Sequence, residues 1–482
     1  MSGWLLTTLI FLPIAAGLLL WLLPWPRQWA GSFATLVALV EVGIWVELLW
    51  HYDFAGGLGA EQRQTWFADL GVSYHVGLYP FSLWLAGLTV VATACATAYA
   101  WWAGRERPRA YFGLMLFLEG AVVGVFAAQD LILFYAFFEA MLIPLYVLIG
   151  VWGGAGRTRA TLQFVIYTMA GSLLMLAAIV VFGLRQGTFN LVESGTSSSV
   201  WVFLGFVIAF AVKAPIFPFH GWLPDAYRES PPEVTALLSG VISKTATYGL
   251  LRIAIAKFPE PALDLRIPIL ALAATGLVYG SLLAFRSTDF RGVVAYSSMA
   301  QMGLITIGLF AMNDAGLSGA VLHMVVHGLL STILFLVAGA VERRTGTGEF
   351  ALLGGMARGR PILATVLMTT GVIALAVPGS AVFAGEFLIL VGAFDVGWGW
   401  AAVGAAAIVL AAMYMLRLIS GVLHQERGPA VSEAALDLRP AEVGILLPLL
   451  VAVLALSAWP ASISERAFPG DEPVRALEGG FR

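Results

Sequence analysis

The chain is 482 residues long, 60% hydrophobic and 11% charged, against about 25% charged residues in a soluble domain, which makes it an integral membrane protein. A formal net charge of −3 over that length leaves no basic footprint for a nucleic acid. The single cysteine, Cys95, excludes an intrachain disulfide and any cysteine-built iron–sulfur or metal site, and no Rossmann or P-loop glycine pattern sits on a soluble domain.

The N-terminus, "MSGWLLTTLIFLPIAAGLLLWLLP", lacks a basic n-region and an A-x-A cleavage site, so it reads as a retained first span rather than a signal peptide. At about 20 apolar residues per crossing, spans are expected at 4–23, 31–49, 80–99, 110–126, 131–151, 161–182, 201–216, 234–254, 267–284, 292–310, 315–341, 362–394, 400–423 and 441–459. The expectation is an all-α polytopic membrane protein of about 14 transmembrane helices. The 362–394 stretch is too long for one straight span and holds Pro378-Gly379, so it counts as one interrupted helix. Connections are short, with one larger loop at 51–79, and the tail after Trp459 is polar and expected at the surface.

Short-loop arginines set the orientation. The loops after spans three, five, nine, eleven and thirteen hold Arg105, Arg107, Arg109, Arg157, Arg159, Arg286, Arg291, Arg343, Arg344, Arg358, Arg360, Arg427 and Arg439; the even loops hold Arg63, Arg185, Lys257 and Arg266. Odd loops are therefore expected in the cytoplasm and both termini on the periplasmic or equivalent face.

Of 26 lysines plus arginines only three are lysines, Lys213, Lys244 and Lys257, and the first two fall inside predicted spans. Arginine does not lose its proton in a protein, whereas burial lets lysine do so. Lysine kept for the membrane interior therefore fits sites that load and release protons; the bland alternative, snorkelling, suits Lys244 least because it lies mid-helix. Two acids match them, Glu139 in "FYAFFEAMLIPLYVLIG" and Glu386 in "VFAGEFLILVGAF", and an isolated carboxylate in hydrocarbon is costly unless paired or hydrated.

In "AVKAPIFPFHGWLPDAY" two prolines follow Lys213 and break the helix. Freed backbone groups at membrane depth must face protein or water, which predicts a hydrated cavity beside Lys213. A second break precedes Glu386. Two broken helices five spans apart, each with an ionisable residue, match paired inverted repeats: spans four to eight and nine to thirteen. His220 follows the first break, and His323, His327 and Ser331 share a face of span eleven. This set suits a proton relay or interhelical hydrogen bonding; no third ligand near the histidines supports a metal. Tyr248, one turn after Lys244, either hydrogen-bonds in that site or packs. Arg252 and Arg417 are expected to snorkel, and Asp225, Arg228 and Glu229 to supply a structural ion pair.

Six segments, "FYAFFEAMLIPLYVLIG", "VKAPIFPFHGWLPDAY", "GVISKTATYGLLR", "VVAYSSMAQMG", "HMVVHGLLSTILFLVAGAVERRTGT" and "GEFLILVGAF", resemble in the same order the antiporter-like subunits of respiratory complex I, the proton-pumping NADH:quinone oxidoreductase. Within that family the chain is most similar to the subunit M type, because Glu386 stands where subunits L and N carry lysine and no long lateral C-terminal helix follows. The resemblance implies that Glu139 and Lys213 form an input ion pair, Lys244 is the central relay, Glu386 is the exit, and His220, His323 and His327 lie on the relay axis. Gln301 replaces a family histidine, and Arg291 a lysine.

The resulting expectation is a proton-translocating membrane-arm subunit that holds no cofactor, driven by quinone reduction elsewhere in the complex. Its partners are the other membrane-arm subunits, above all the flanking antiporter-like ones, together with the lipid bilayer and protons. The site is the cell inner (plasma) membrane, multi-pass. Residues 1–109 carry helices one to three, 110–254 the first repeat, 255–423 the second, and 424–482 the last helix and tail. The rival functions are a subunit of a multi-subunit Na⁺/H⁺ antiporter or of a proton-pumping membrane hydrogenase.

Overall fold

The structure is a computed structural model that describes residues 2–55, 57–434 and 436–468. Twelve helices among these are long and apolar enough to cross a membrane. The two interrupted spans add further crossings, which is compatible with the expected fourteen.

In chain order the helices begin with α1 (Ser2–Leu22) and α2 (Ala30–Trp50). The next segment departs from the sequence reading: the expected loop at 51–79 folds into an antiparallel hairpin, β1 (Gly59–Phe67) with β2 (Val72–Leu78). Its partners fix it. Ser73 N–H donates to Asp130 at 3.0 Å, Tyr74 meets Thr7 at 2.9 Å, and His75 bonds Glu61 and Asn190, both at 2.8 Å. Then follow α3 (Pro80–Ala103), α4 (Pro108–Ala127), α5 (Leu131–Ala140), α6 (Leu142–Trp152) and α7 (Arg157–Gln186). α5 and α6 form one span with an irregularity at Met141, just before Pro144.

The first broken span is α8 (Val200–Lys213), a non-helical stretch, and α9 (Leu223–Glu229). Span eight is irregular by a different route. It runs α10 (Pro232–Leu237), a π-helical turn at Leu238–Ile242, α11 (Ser243–Gly249) and a second π-helical turn at Leu250–Ile255. A short α12 (Pro259–Asp264) leads to α13 (Arg266–Arg286), α14 (Phe290–Ala311) and α15 (Asp314–Thr345). The second broken span is α16 (Pro361–Ala374) and α17 (Ala381–Val396), parted where Pro378 and Gly379 stand. α18 (Trp398–Leu423), α19 (Pro440–Ala458) and a single turn, α20 (Ala461–Ser464), complete the described chain.

The 32-residue α15 is about 48 Å long at 1.5 Å per residue, and its membrane-crossing window is fully buried, like that of span eight. These two elements are the axis around which the others pack. Small residues let them touch. A Cβ on Gly328 of α15 would sit 2.5 Å from the Gly240 carbonyl oxygen of span eight, the close backbone approach that glycine permits between membrane helices. On the other side of α15, a Cβ on Gly385 of α17 would meet the His323 Cβ at 3.1 Å. These contacts place the ionisable side chains of three spans within reach of one another.

Candidate functional site

Lys213 is the last residue of α8 and is 3% exposed. Its Nζ donates to the Phe138 carbonyl at 3.1 Å and lies 3.8 Å from the centre of the Phe138 ring. Glu139 follows Phe138, and its side chain is only half-buried. Among the described residues no ion pair joins it to Lys213. The expected input pair is therefore a near neighbour relationship, in which a backbone carbonyl and an aromatic face hold the ammonium while the carboxylate stands by. The helix break is satisfied by protein: the Trp222 indole N–H donates to the Val212 carbonyl at 2.9 Å. A small polar cavity lies beside His327, the histidine that Lys244 meets, and is lined by residues of α14, α15 and α17. His220 is half-buried against Phe217 and Tyr279, with ring centroids 5.7 and 5.6 Å away, and is separate from the buried histidines of α15.

Lys244 is fully buried. Its Nζ lies 2.5 Å from the Ser239 carbonyl, 3.2 Å from Ser243 Oγ and 2.8 Å from His327 Nδ1. Ser239 belongs to the π-helical turn, where the i→i+5 pattern leaves a carbonyl free to turn toward a side chain. An ammonium only donates, so with Lys244 charged His327 accepts at Nδ1 and carries its own proton on Nε2. Tyr248 does not join this site. It packs edge-on to Phe126 at 5.3 Å and against Phe81 and Phe134, and its hydroxyl is not bonded to Lys244.

One turn from His327 along α15, His323 has its ring 6.2 Å from that of His327. His323 Nε2 is 2.8 Å from Gln301 Oε1 on α14, and Gln301 Nε2 donates to Glu386 Oε1 on α17 at 3.3 Å. Glu386 is 1% exposed. Ser297, Ser298, Gln301, His323, His327 and Ser331 line one cavity of about 30 Å³, against roughly 10–15 Å³ needed to seat a water. Ser331 faces that cavity while its hydroxyl donates to Gly328 O at 3.2 Å. Four spans thus converge on one buried polar line: Lys244 of span eight, His327 and His323 of α15, Gln301 of α14 and Glu386 of α17.

The ordinary charges are more tightly held than the sequence suggests. Arg252 does not reach out to solvent: it donates to Gln129 Oε1 at 3.0 Å and to the Tyr79 hydroxyl at 3.3 Å. Arg417 lies over Phe285 and Phe350. Asp225 pairs with Arg159 and Arg228 with Asp289, at 3.3 and 2.9 Å, while Glu229 accepts from the Gly156 N–H; they tie loops together rather than pairing among themselves. Arg291 is buried in a two-pronged pair with Glu342. Two carboxyls escaped the sequence reading altogether. Glu41 of α2 and Glu119 of α4 are 0% and 1% exposed, and neither carboxyl has a protein hydrogen-bond partner. The signal was available, since each is a lone acid in an apolar run.

A transmembrane family model described as NADH:quinone oxidoreductase/Mrp antiporter matches residues 128–412, the stretch that contains all nine expected site residues. The NADH-quinone oxidoreductase subunit M of Mycobacterium tuberculosis (strain ATCC 25618 / H37Rv) is 35% identical, covering 98% of this chain and 94% of its own. The NAD(P)H-quinone oxidoreductase chain 4 1 of Synechococcus sp. (strain JA-3-3Ab) is also 35% identical, over 94% and 90%. Among solved structures, a chain of respiratory complex I from Thermus thermophilus with bound NADH superposes with a TM-score of 0.89 at 32% identity, covering 98% of this chain and 99% of that one. The chain belongs to the NADH-quinone oxidoreductase subunit M family.

Proposed function

We propose that this chain is the proton-translocating subunit M of a complex I-type NADH:quinone oxidoreductase, set in the bacterial inner membrane among other membrane-arm subunits. It does no redox chemistry itself; quinone reduction elsewhere in the complex drives it. The observation that carries the reading is the buried line from Lys244 through His327, His323 and Gln301 to Glu386, within a chain of that family. Such a line is expensive to bury in a membrane, and intramembrane ionisable residues mark ion and proton pathways.

In this reading, a charge change near Glu139 alters the preference of Lys213 for its ammonium form, because an opposite charge nearby favours it. The change at Lys213 is felt at Lys244, which passes its proton to His327. The histidines, Ser331 and waters of the adjoining cavity carry it on, and Glu386 releases it outward. Spans four to eight and nine to thirteen act as the two inverted repeats, each contributing one broken helix, with both termini on the outer face. His220 and Tyr248 play a lesser part than the sequence implied: the first stands apart from the line and the second is aromatic packing.

Purification of the native assembly through a tag on this chain tests the assignment. Co-purification of NADH-binding and iron–sulfur subunits is the expected result. Recovery with nickel–iron subunits, or with other ion-antiporter subunits and no redox partner, would overturn it.

A further inference from the structure

Gln301 is the one member of the buried line that cannot carry a proton in its ordinary form, yet it occupies the junction between the last histidine and the exit carboxyl. Its amide is polar at both ends in opposite senses: Oε1 accepts and Nε2 donates. Oε1 faces His323 Nε2 at 2.8 Å, and Nε2 faces Glu386 Oε1 at 3.3 Å. This orientation demands two things at once. His323 must carry its proton on Nε2, because only then has Oε1 something to accept. Glu386 must present an unprotonated Oε1, which favours the carboxylate because an acid proton would then have to sit on Oε2, where no protein acceptor meets it. The remaining atoms of both partners, His323 Nδ1 and Glu386 Oε2, are buried and have no protein partner, so nothing else in the protein fixes the tautomer of the one or the protonation of the other.

Rotate the amide by half a turn and the demands reverse. Its oxygen then faces Glu386, which must donate and hence be protonated on that oxygen. Its NH₂ then faces His323, which must accept at Nε2 and carry its proton on Nδ1. We propose that Gln301 is a positioning residue whose amide flip couples the tautomer of His323 to the charge of Glu386, resting on the proton-transfer reading above. The cycle balances. With Glu386 ionised, a proton arriving from the His327 side binds His323 Nδ1. The Nε2 proton leaves through a water of the adjoining cavity and binds Glu386. The amide then turns, holding His323 as the Nδ1–H form and Glu386 as the acid. Release of the Glu386 proton outward restores the carboxylate and turns the amide back, and His323 recovers its Nε2–H form by exchanging one proton with cavity water.

The test is difference infrared spectroscopy on the whole purified complex, with quinone-coupled proton uptake measured in parallel. The protonated-carboxyl band of Glu386 is assigned by its loss in Glu386→Gln. In Gln301→Leu, which removes both contacts, that band should shift to higher frequency and proton uptake per quinone reduced should fall by up to about 100-fold, the scale expected when the groups it positions are misplaced. Gln301→His, which restores a titratable group, should keep most of the uptake. An unmoved Glu386 band in Gln301→Leu, or full uptake in that variant, would overturn the coupling. Should Gln301→Leu fail to assemble, Gln301→Glu decides: when protonated it accepts from His323 and donates to Glu386, its own carboxyl band should move when Glu386 is changed to Gln, and independence of the two bands overturns the proposal. Normal uptake in Glu386→Gln would instead sink the proton-exit reading itself, so the two failures are distinguishable.

Discussion

The Lys244 ammonium nitrogen and His327 Nδ1 lie 2.8 Å apart although 83 residues separate them in the chain. The contact exists because Gly240 and Gly328 allow span eight and α15 to approach backbone to backbone, and because the π-helical turn before Lys244 offers the Ser239 carbonyl as a second acceptor. It is a lysine site of a particular kind: one compact ammonium with three acceptors, no carboxylate among them.

Lys244→Arg tests what that lysine is for. Arginine keeps the positive charge but not the ability to shed it. A planar guanidinium also cannot match the three acceptors that the single Nζ serves. Coupled proton uptake in Lys244→Arg is expected to fall nearly as far as in Lys244→Ala, in an assembled complex checked on a native gel. Full pumping by the arginine variant would reduce Lys244 to a fixed charge.

At the other lysine the geometry separates two contributions. Lys213 is held by Phe138, through a carbonyl and a ring, while Glu139 stands half-buried nearby. Lys213→Ala and Glu139→Ala should each remove most coupled activity while the complex still assembles. Phe138→Leu keeps the carbonyl and loses only the ring face, a contact of about 0.5–2 kcal/mol, so it should cause a partial loss. Measured NADH:quinone turnover and proton uptake decide; normal values in Lys213→Ala or Glu139→Ala would remove this lysine and acid from the mechanism.

Much of this was legible before any coordinates. Helix positions followed from runs of apolar residues, because a bilayer fixes the length of a crossing. The two breaks followed from proline next to Lys213 and from Pro378-Gly379. The choice of lysine over arginine singled out Lys213 and Lys244 by chemistry alone. What was not legible depends on contacts between distant segments. The hairpin at Gly59–Phe67 and Val72–Leu78 is pinned by Asp130, Asn190 and Thr7, none of which signals a strand locally. The π-helical turns flanking Lys244 have no sequence signature. Gln301 read as a lost titratable group, and only its placement between His323 and Glu386 shows it as a junction. Tyr248 stood one turn from Lys244 on paper, yet side-chain direction sent it into the aromatic cluster.

Stability on the expected cytoplasmic side should depend on Glu233, the acid in the first turn of span eight. It is fully buried, receives Arg105 Nε and Nη2 at 2.6 and 2.7 Å, and accepts from the Tyr111 hydroxyl at 2.5 Å. Removing one partner of a buried pair leaves the other charge stranded and costs about 3–5 kcal/mol. Arg105→Ala should therefore lower the unfolding temperature of the complex in detergent more than Glu233→Gln, because the first strands a fully buried carboxylate and the second a partly exposed guanidinium. Equal melting of Arg105→Ala and wild type would show that the carboxyl finds another partner.

The hairpin offers a contrasting case outside the spans. Arg63 hydrogen-bonds Glu193, and that bond holds the Glu193 carboxyl below its ordinary range. A carboxyl with a lowered folded-state pKa contributes stability above its unfolded pKa and loses it as pH falls through the folded value. Both side chains are about half exposed, so screening leaves a contribution of roughly 0.2–1 kcal/mol. Arg63→Ala should change the melting temperature little at neutral pH, and the small difference from wild type should vanish in acid. A large destabilisation at neutral pH would mean that this pair clamps the hairpin against the 190–194 turn more firmly than its exposure allows.

Glu386 carries the last prediction. It is 1% exposed, its one protein hydrogen bond comes from Gln301, and its second oxygen has no protein partner. In a membrane the neutral acid is the less costly form, so the group is suited to hold a proton until a path outward opens. Glu386→Gln copies the protonated shape permanently and should block release, leaving the assembled complex with little coupled proton uptake. Glu386→Asp withdraws the carboxyl by about one carbon–carbon bond, stretching the already long 3.3 Å contact to Gln301, and about 1 Å of misplacement is enough to slow a positioned transfer by up to about 100-fold. Glu386→Lys places a group that accepts a proton when neutral, and should retain part of the function. The expected order of quinone-coupled uptake is wild type, then Asp or Lys, then Gln. Wild-type uptake in Glu386→Gln would show that this carboxyl does not titrate during turnover, and the outward step would then have to start from His323 or His327, the histidines that line the neighbouring cavity.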